Sequence, residues 1–234
     1  MKKVFNIVIR LLFIIAVPIF LISVSIGIVV NTKWVYEAGF KKYDIVDVTC
    51  ITMPEQDNAA TGIINYINNS DEYINVWIMR GGQEYQLFSE DQKEIIHMKD
   101  VKALFRLDYT VLVCSFIFVA AYISIMLWRK DLKSLAWGLI GGGGLTLGLM
   151  IVMGLGILTG FFDTLFIKFH EIAFTNMDWL LDPNMDVLIM MFPDGFWQDV
   201  VSYIGMLSSV FAVVIGALGG LYIWKTKWKE TVEL

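Results

Sequence analysis

The sequence predicts an α-helical integral membrane protein, with four transmembrane helices and a small extracytoplasmic α+β cap. Three observations carry that prediction. Hydrophobic residues make up 57% of the 234-residue chain and charged residues only 18%, with a mean hydropathy of +0.64. The apolar residues gather into four runs, each long enough to cross a hydrocarbon core of about 30 Å. The basic residues gather on three short segments that alternate with two long acidic ones.

Residues 1–30 are read as an anchor. Leu11 to Val30 is apolar and follows Lys2, Lys3 and Arg10. Such an order also suits a secretory signal, but the run is too long for a signal core and no small-x-small cleavage site stands clear of it. Residues 109–160 hold the second and third spans, Tyr109 to Trp128 and Ser134 to Gly160. Residues 200–234 hold the fourth span, Val200 to Trp224, and a tail, with aromatic or charged residues near the span ends as interface anchors.

The N-terminus, the turn at Arg129, Lys130 and Lys133, and the tail at Lys225, Lys227 and Lys229 carry nine basic residues against Asp131, Glu230 and Glu233. The rest of the chain carries nine basic and twenty acidic residues. Positive short segments stay in the cytoplasm. Both termini are therefore expected inside, with 31–108 and 161–199 facing out. So acidic an outer face makes nucleic acid an unsuitable partner.

Within the cap, 31–108, Ile74 to Met79 and Glu84 to Phe88 read as two strands around a Gly81-Gly82 hairpin turn. Tyr43 to Met53 is β-branched enough to add a strand, and Glu55 to Ile67 reads as a helix. Ser89-Glu90-Asp91-Gln92 has the capping-box pattern, opening a helix that runs through Asp108 into the second span. The cap is too small to be stable without resting on the spans. The third span is glycine-rich. Gly138/Gly142, Gly144/Gly148 and Gly156/Gly160, with Ala212, Gly216 and Gly220 on the fourth span, are spaced for close helix approach. They lack the following lysine and hydroxyl residue of a phosphate loop.

Both histidines, His97 and His170, fall in the outer segments. Imidazole is the side chain suited to proton transfer near neutral pH, though it is also a structural hydrogen-bonder and a metal ligand. On the predicted helix His97, Asp100, Val101 and Leu104 share a face. Asp100 is therefore expected to support the imidazole, unless the two form only an exposed ion pair of little consequence. Segment 161–199 packs nine aromatic residues with five aspartates ahead of Asp199. It is too apolar for a solvent loop and too acidic for a span, and so is expected to lie in the headgroup layer around a lipid-facing pocket. Trp179, Phe192, Phe196 and Trp197 are expected to line that pocket, with Arg106 as a contact for the substrate backbone or as an interface anchor.

His97-Met98-Lys99-Asp100-Val101-Lys102 stands with Phe169-His170-Glu171-Ile172-Ala173-Phe174, Trp179-Leu180-Leu181-Asp182-Pro183 and Met191-Phe192-Pro193-Asp194-Gly195-Phe196-Trp197. Together these stretches resemble the bacterial lipoprotein intramolecular transacylases, over essentially the whole chain. The resemblance implies an acyltransferase of the bacterial plasma membrane, acting on a diacylglyceryl lipoprotein among membrane lipids. The acyl chain would move from the glycerol sn-2 oxygen to the α-amino group of the N-terminal cysteine, giving a lyso-form lipoprotein. It implies His97 and His170 as catalytic residues; Asp100 is expected as their support, and Asp182, with Arg106 and the four aromatics, is expected on the substrate.

That chemistry suits the residues. Aminolysis of an ester needs a base for the amine, whose pKa of about 7.7–8.0 keeps it mostly protonated at neutral pH. It also needs an acid for the departing oxygen, and two imidazoles suffice, with no metal or other cofactor. The cyclic path holds about eight atoms, so orientation is the main obstacle and an aromatic pocket would supply it. Cys50 and Cys114 belong to no visible triad, and no G-x-S-x-G or H-E-x-x-H occurs. Two alternatives stay open: a metal-dependent membrane lipid or peptide hydrolase using the histidines with Asp178 or Asp182, and a non-catalytic membrane sensor that binds lipid or peptide.

Overall fold

A computed structural model of the chain describes residues 2–80, 82–88 and 92–232. In order these form α1 (Lys2–Val30), α2 (Lys33–Lys42), α3 (Ile45–Thr49), α4 (Met53–Asn68), β1 (Trp77–Arg80), β2 (Gln83–Gln86), α5 (Gln92–Trp128), α6 (Leu132–Leu158), α7 (Phe162–Ala173), α8 (Val187–Met191) and α9 (Asp194–Val232). The helices α1, α5, α6 and α9 are long and apolar enough to cross a membrane. The chain is thus an α-helical integral membrane protein with four candidate spans and one small sheet.

α1, α5 and α9 are longer than the apolar runs that predict them, because helix continues through the flanking polar residues, whereas α6 is as long as its run and starts two residues earlier. At about 1.5 Å per residue, the 37 residues of α5 reach roughly 55 Å, while a bilayer core needs only about twenty. The apolar part starts at Tyr109, so the first turns, with His97 and Asp100, precede the stretch that a bilayer core requires. The capping box at Ser89 to Gln92 includes residues outside those described; the described helix begins at Gln92.

The described residues cluster into two compact units. One takes those up to Ile26, Asp108–Gly156 and those from Tyr203 onward. Its core is apolar: Phe13, Val17, Leu21, Val119, Tyr122, Met126, Leu135 and Ala212, with Phe13 stacked on Tyr122 at 4.1 Å. Small residues bring helices close. A Cβ on Gly142 would meet Val17 at 2.6 Å and one on Gly143 the Ala212 carbonyl oxygen at 2.7 Å, whereas Gly144, Gly148, Gly216 and Gly220 have nothing within 4 Å. Only part of the predicted small-residue pattern is therefore spent on approach. Ser208 donates to Ser25 at 2.9 Å, both hydroxyls fully buried, a polar tie of the kind membrane helices use.

The second unit holds Gly27–Leu107 and Ile157–Ser202, so the two predicted outer segments share one core. β1 and β2 pair antiparallel, Trp77 with Gln86 through Arg80 with Gln83. Leu87 N–H donates to the Val76 carbonyl at 2.7 Å and Gly82 takes φ +83°, as a hairpin turn requires. The helix expected at Glu55 to Ile67 is α4, opened by a Thr52/Glu55 capping box with a 2.8 Å bond from the Thr52 N–H to the Glu55 carboxylate.

The strand expected at Tyr43 to Met53 does not form. That stretch holds the one-turn helix α3, bounded by left-handed Asp44 and Cys50. Two left-handed positions six residues apart break any extended run, and Ile45, only 1% exposed, is buried in a helical turn that packs against α8. Tertiary packing overrides the β preference of its Val and Ile residues.

Candidate active site

α7 and α5 each bring one histidine to the same place. On α7, Phe162, Phe166 and His170 recur every four residues, and Phe162 and His170 are buried. Leu165, Phe169 and Ile172, on other faces, are exposed. On α5, Glu94, His97 and Met98 turn inward. The His97 and His170 rings lie 5.9 Å apart between centroids, and each histidine is 8% exposed.

Aromatic rings close around His170. Phe166 lies 4.3 Å away, Trp179 5.1 Å, and Phe169 and Phe174 each 5.4 Å; Phe174 also stands edge-on to His97 at 5.0 Å. His170 Nδ1 sits 2.7 Å from the Phe166 carbonyl oxygen. A carbonyl only accepts, so Nδ1 carries the hydrogen and the neutral ring keeps its lone pair on Nε2. His97 is held differently: its buried Nδ1 has no hydrogen-bond partner among the described residues, and neither does the buried Nε1 of Trp179.

Both rings are held neutral at pH 7. Burial, and next the neighbouring His170, push the His97 pKa down to about 4, against a smaller upward pull from Asp100. Burial also lowers His170, opposed by its bond to Phe166 and by the Asp194 charge. Each ring disfavours a second charge beside it, so the pair is suited to carry one proton at a time.

Asp100 is not bound to a ring nitrogen. Its Oδ2 accepts from Asn176 Nδ2 at 2.8 Å, which fastens the loop after α7 to α5 one turn beyond His97. Asn176 Oδ1 accepts from Asp178 N–H at 3.1 Å, and that turn carries Trp179. Arg106 is exposed and donates to the Asn69 carbonyl at 3.2 Å. Asp182 is exposed, its Oδ1 accepting from the backbone and side chain of Asn184 at 2.8 and 3.0 Å. The structure brings His97, His170 and Trp179 together and places Arg106 and Asp182 in contacts of their own. Among the described residues no three His, Cys, Asp or Glu side chains gather to hold a metal ion, and Cys50 and Cys114 are free and exposed.

Phe192 and Phe196 are buried, at 7% and 2% exposure. They pack with Tyr36 and Phe40 of α2, Phe40 to Phe192 at 5.4 Å, while Trp197 bridges from them to Phe166 at 6.3 Å. Gly39 leaves room for Phe196, for a Cβ there would meet the ring at 2.5 Å. Asp199 anchors this end, accepting from Lys42 at 2.6 Å and from Tyr43 at 3.0 Å.

Several of these residues escape the sequence reading. Phe166 is legible as the residue one turn before His170, and Glu94 as the residue three before His97. Glu94, 4% exposed, accepts from Leu188 N–H at 2.6 Å and so holds α8. Nothing in the sequence links α2 to segment 187–199, about 150 residues on.

The sequence profile described as lipoprotein intramolecular transacylase Lit matches residues 11–197. The chain belongs to the lipoprotein intramolecular transacylase family. Members of that family are acyltransferases, and the matched range contains both histidines and their aromatic surround. Solved in meso structures of the membrane integral lipoprotein intramolecular transacylase Lit from Bacillus cereus share the fold. One superposes with a TM-score of 0.82 at 21% identity, covering 97% of this chain and 99% of the other. Variants of that protein with a histidine replaced by arginine or alanine both give 0.78 at 20% identity and cover 97% of this chain, with 96% and 97% of their own covered. A protein of Aquifex aeolicus described as uncharacterized is 27% identical over 141 residues, 56% of this chain. The match spans 58% of that relative's length.

Proposed function

We propose that this chain converts diacylglyceryl lipoproteins to the lyso-form, moving the sn-2 acyl group to the α-amino nitrogen of the N-terminal cysteine. The reaction site is His170 and His97 within the aromatic enclosure, at the outer face of the membrane, with both chain termini in the cytoplasm. The observation that carries the reading is the 2.7 Å contact of His170 Nδ1 with the Phe166 carbonyl oxygen, which assigns the tautomer of His170. With Nδ1–H held by the Phe166 carbonyl, Nε2 is a fixed, desolvated base in an apolar surround that suits an ester with long acyl chains.

His170 Nε2 takes the amine proton as nitrogen attacks the ester carbonyl carbon. His97, neutral at rest, cannot be the acid at the outset. It receives the proton within the pair and gives it to the departing glycerol oxygen, or steadies the charge on His170 while that ring does so. One proton enters from the amine and leaves on the new hydroxyl, so the dyad returns to its starting state. Asp100 acts through Asn176 on the loop that carries Trp179. Phe192, Phe196 and Trp197 buttress the wall from behind, and Arg106 and Asp182, both exposed, would meet the substrate's polar backbone.

The reading is tested by expressing the chain in a bacterial host whose lipoproteins carry a free diacylglyceryl amino terminus. Mass spectrometry of a reporter's N-terminal peptide is expected to show an acyl group on nitrogen and one remaining on glycerol. Full retention of both glycerol esters, with the protein present in the membrane, contradicts it.

A further inference from the structure

Among the described residues, Trp179 Nε1 is a buried hydrogen-bond donor with no acceptor, and His97 Nδ1 is likewise buried and unpartnered. Such atoms are few in folded proteins and each calls for an explanation. These two belong to side chains lying against the same ring: His170 is 5.1 Å from Trp179 and 5.9 Å from His97. We propose that the Trp179 indole N–H is the donor that receives the ester carbonyl oxygen and stabilises the negative charge it develops when the amine attacks. The assignment rests on the transacylase reading above.

The chemistry selects that partner. An indole N–H donates only, so its substrate partner must be an acceptor. The polar atoms around the migrating acyl group are the thioether sulfur, a weak acceptor, the glycerol oxygens and the carbonyl oxygen, and only the last gains a full charge in the tetrahedral adduct. As the C–N bond forms, the carbonyl π pair moves to that oxygen and the amine proton goes to His170 Nε2. As the adduct collapses, the C=O bond re-forms, the C–O bond to glycerol breaks, and the alkoxide takes the proton from the histidine pair. A donor fixed in place before the charge appears, in a surround without water, helps the transition state more than the ground state. The Trp179 loop is fixed in that way: Asn176 is tied to Asp100 at 2.8 Å, and the Trp179 carbonyl accepts from Leu181 N–H at 3.0 Å.

The test replaces Trp179 in the full-length protein with 3-benzothienylalanine, which keeps the bicyclic shape and puts sulfur where N–H stood, and separately makes Trp179→Phe. A synthetic diacylglyceryl lipopeptide in lipid vesicles is the substrate. Both variants are expected to lose about 10²- to 10³-fold in kcat, the effect of removing one such donor, with KM within a few-fold and the pH profile unmoved. Fluorotryptophans, whose N–H is more acidic, are expected to keep wild-type turnover or better. A benzothienyl variant with wild-type kcat, or one that raises KM alone, overturns the donor role. If His97→Ala and His170→Ala are inactive in the same assay, that overturning leaves the transacylase reading standing; if they are active, the reading fails first.

Discussion

Acid should weaken the fold of the unit that holds the dyad, by an amount set by His97. In the folded protein its imidazole titrates at about 4, and exposed in the unfolded chain at about 6.5. A depressed folded value means the unfolded state binds more protons between those pH values, so stability is fully present above about 6.5 and falls as pH drops toward 4. Integrated from pH 7 to pH 5, the loss is about 2 kcal/mol, approaching about 3 kcal/mol at pH 4. For a chain of this size about 2 kcal/mol corresponds to roughly 4–8 °C in Tm. The assay compares thermal unfolding of wild type and His97→Asn in detergent at pH 7 and pH 5. Other groups titrate in both proteins, so the difference of differences isolates His97. The wild type is expected to lose roughly 4–8 °C more than His97→Asn; equal losses would refute the claim that His97 is buried and neutral.

The kcat/KM of the wild type is expected to fall tenfold per pH unit below the amine pKa of about 7.7–8.0, with any further steepening displaced below pH 6.5 because burial lowers both imidazoles. Steepening to a slope of two near pH 6.5 would mean a histidine of ordinary pKa takes part. Gly39→Val drives a Cβ into the Phe196 ring, which is only 2% exposed and hemmed in by Tyr36, Phe40 and Phe192. It should destabilise by about 1–3 kcal/mol in a thermal or denaturant melt, less roughly 0.4 kcal/mol of helix propensity gained over glycine; an unchanged melt would show that Phe196 has room to move. Glu94→Ala leaves the Leu188 N–H without its acceptor and should cost about 1–3 kcal/mol, most of it recovered in Glu94→Gln, which can still accept.

The long apolar runs made the four spans legible, and the charges on the short segments added an expected orientation. Hairpin residues gave β1 and β2 because Gly82 sits where a positive φ is needed. α3 was not legible: Ile45 to Thr49 looks extended locally, and only its packing against α8 makes it a helix. The two histidines were legible as candidates because an apolar chain with only two imidazoles offers few others for proton transfer. Their surround was half legible. Phe166 and Phe174 stand at helical spacing from His170, yet the partnership of α2 with Phe192 and Phe196 links residues far apart in sequence. Asp100 shows the limit of face arguments. It lies on the face of His97 as the spacing predicts, but its carboxylate is taken by Asn176, 76 residues away, and no periodicity on α5 announces that bond.

The central claim is that two neutral imidazoles pass a single proton from amine to glycerol oxygen, and single-turnover rates of His97→Ala and His170→Ala test it most directly. Both variants should remain folded and membrane-inserted. Each should convert the diacylglyceryl lipopeptide about 10²- to 10⁴-fold more slowly than wild type. The double variant should be little slower than the slower single one, because the rings act as a unit. Wild-type conversion by either single variant, read directly as N-acyl peptide by mass spectrometry, would contradict the dyad.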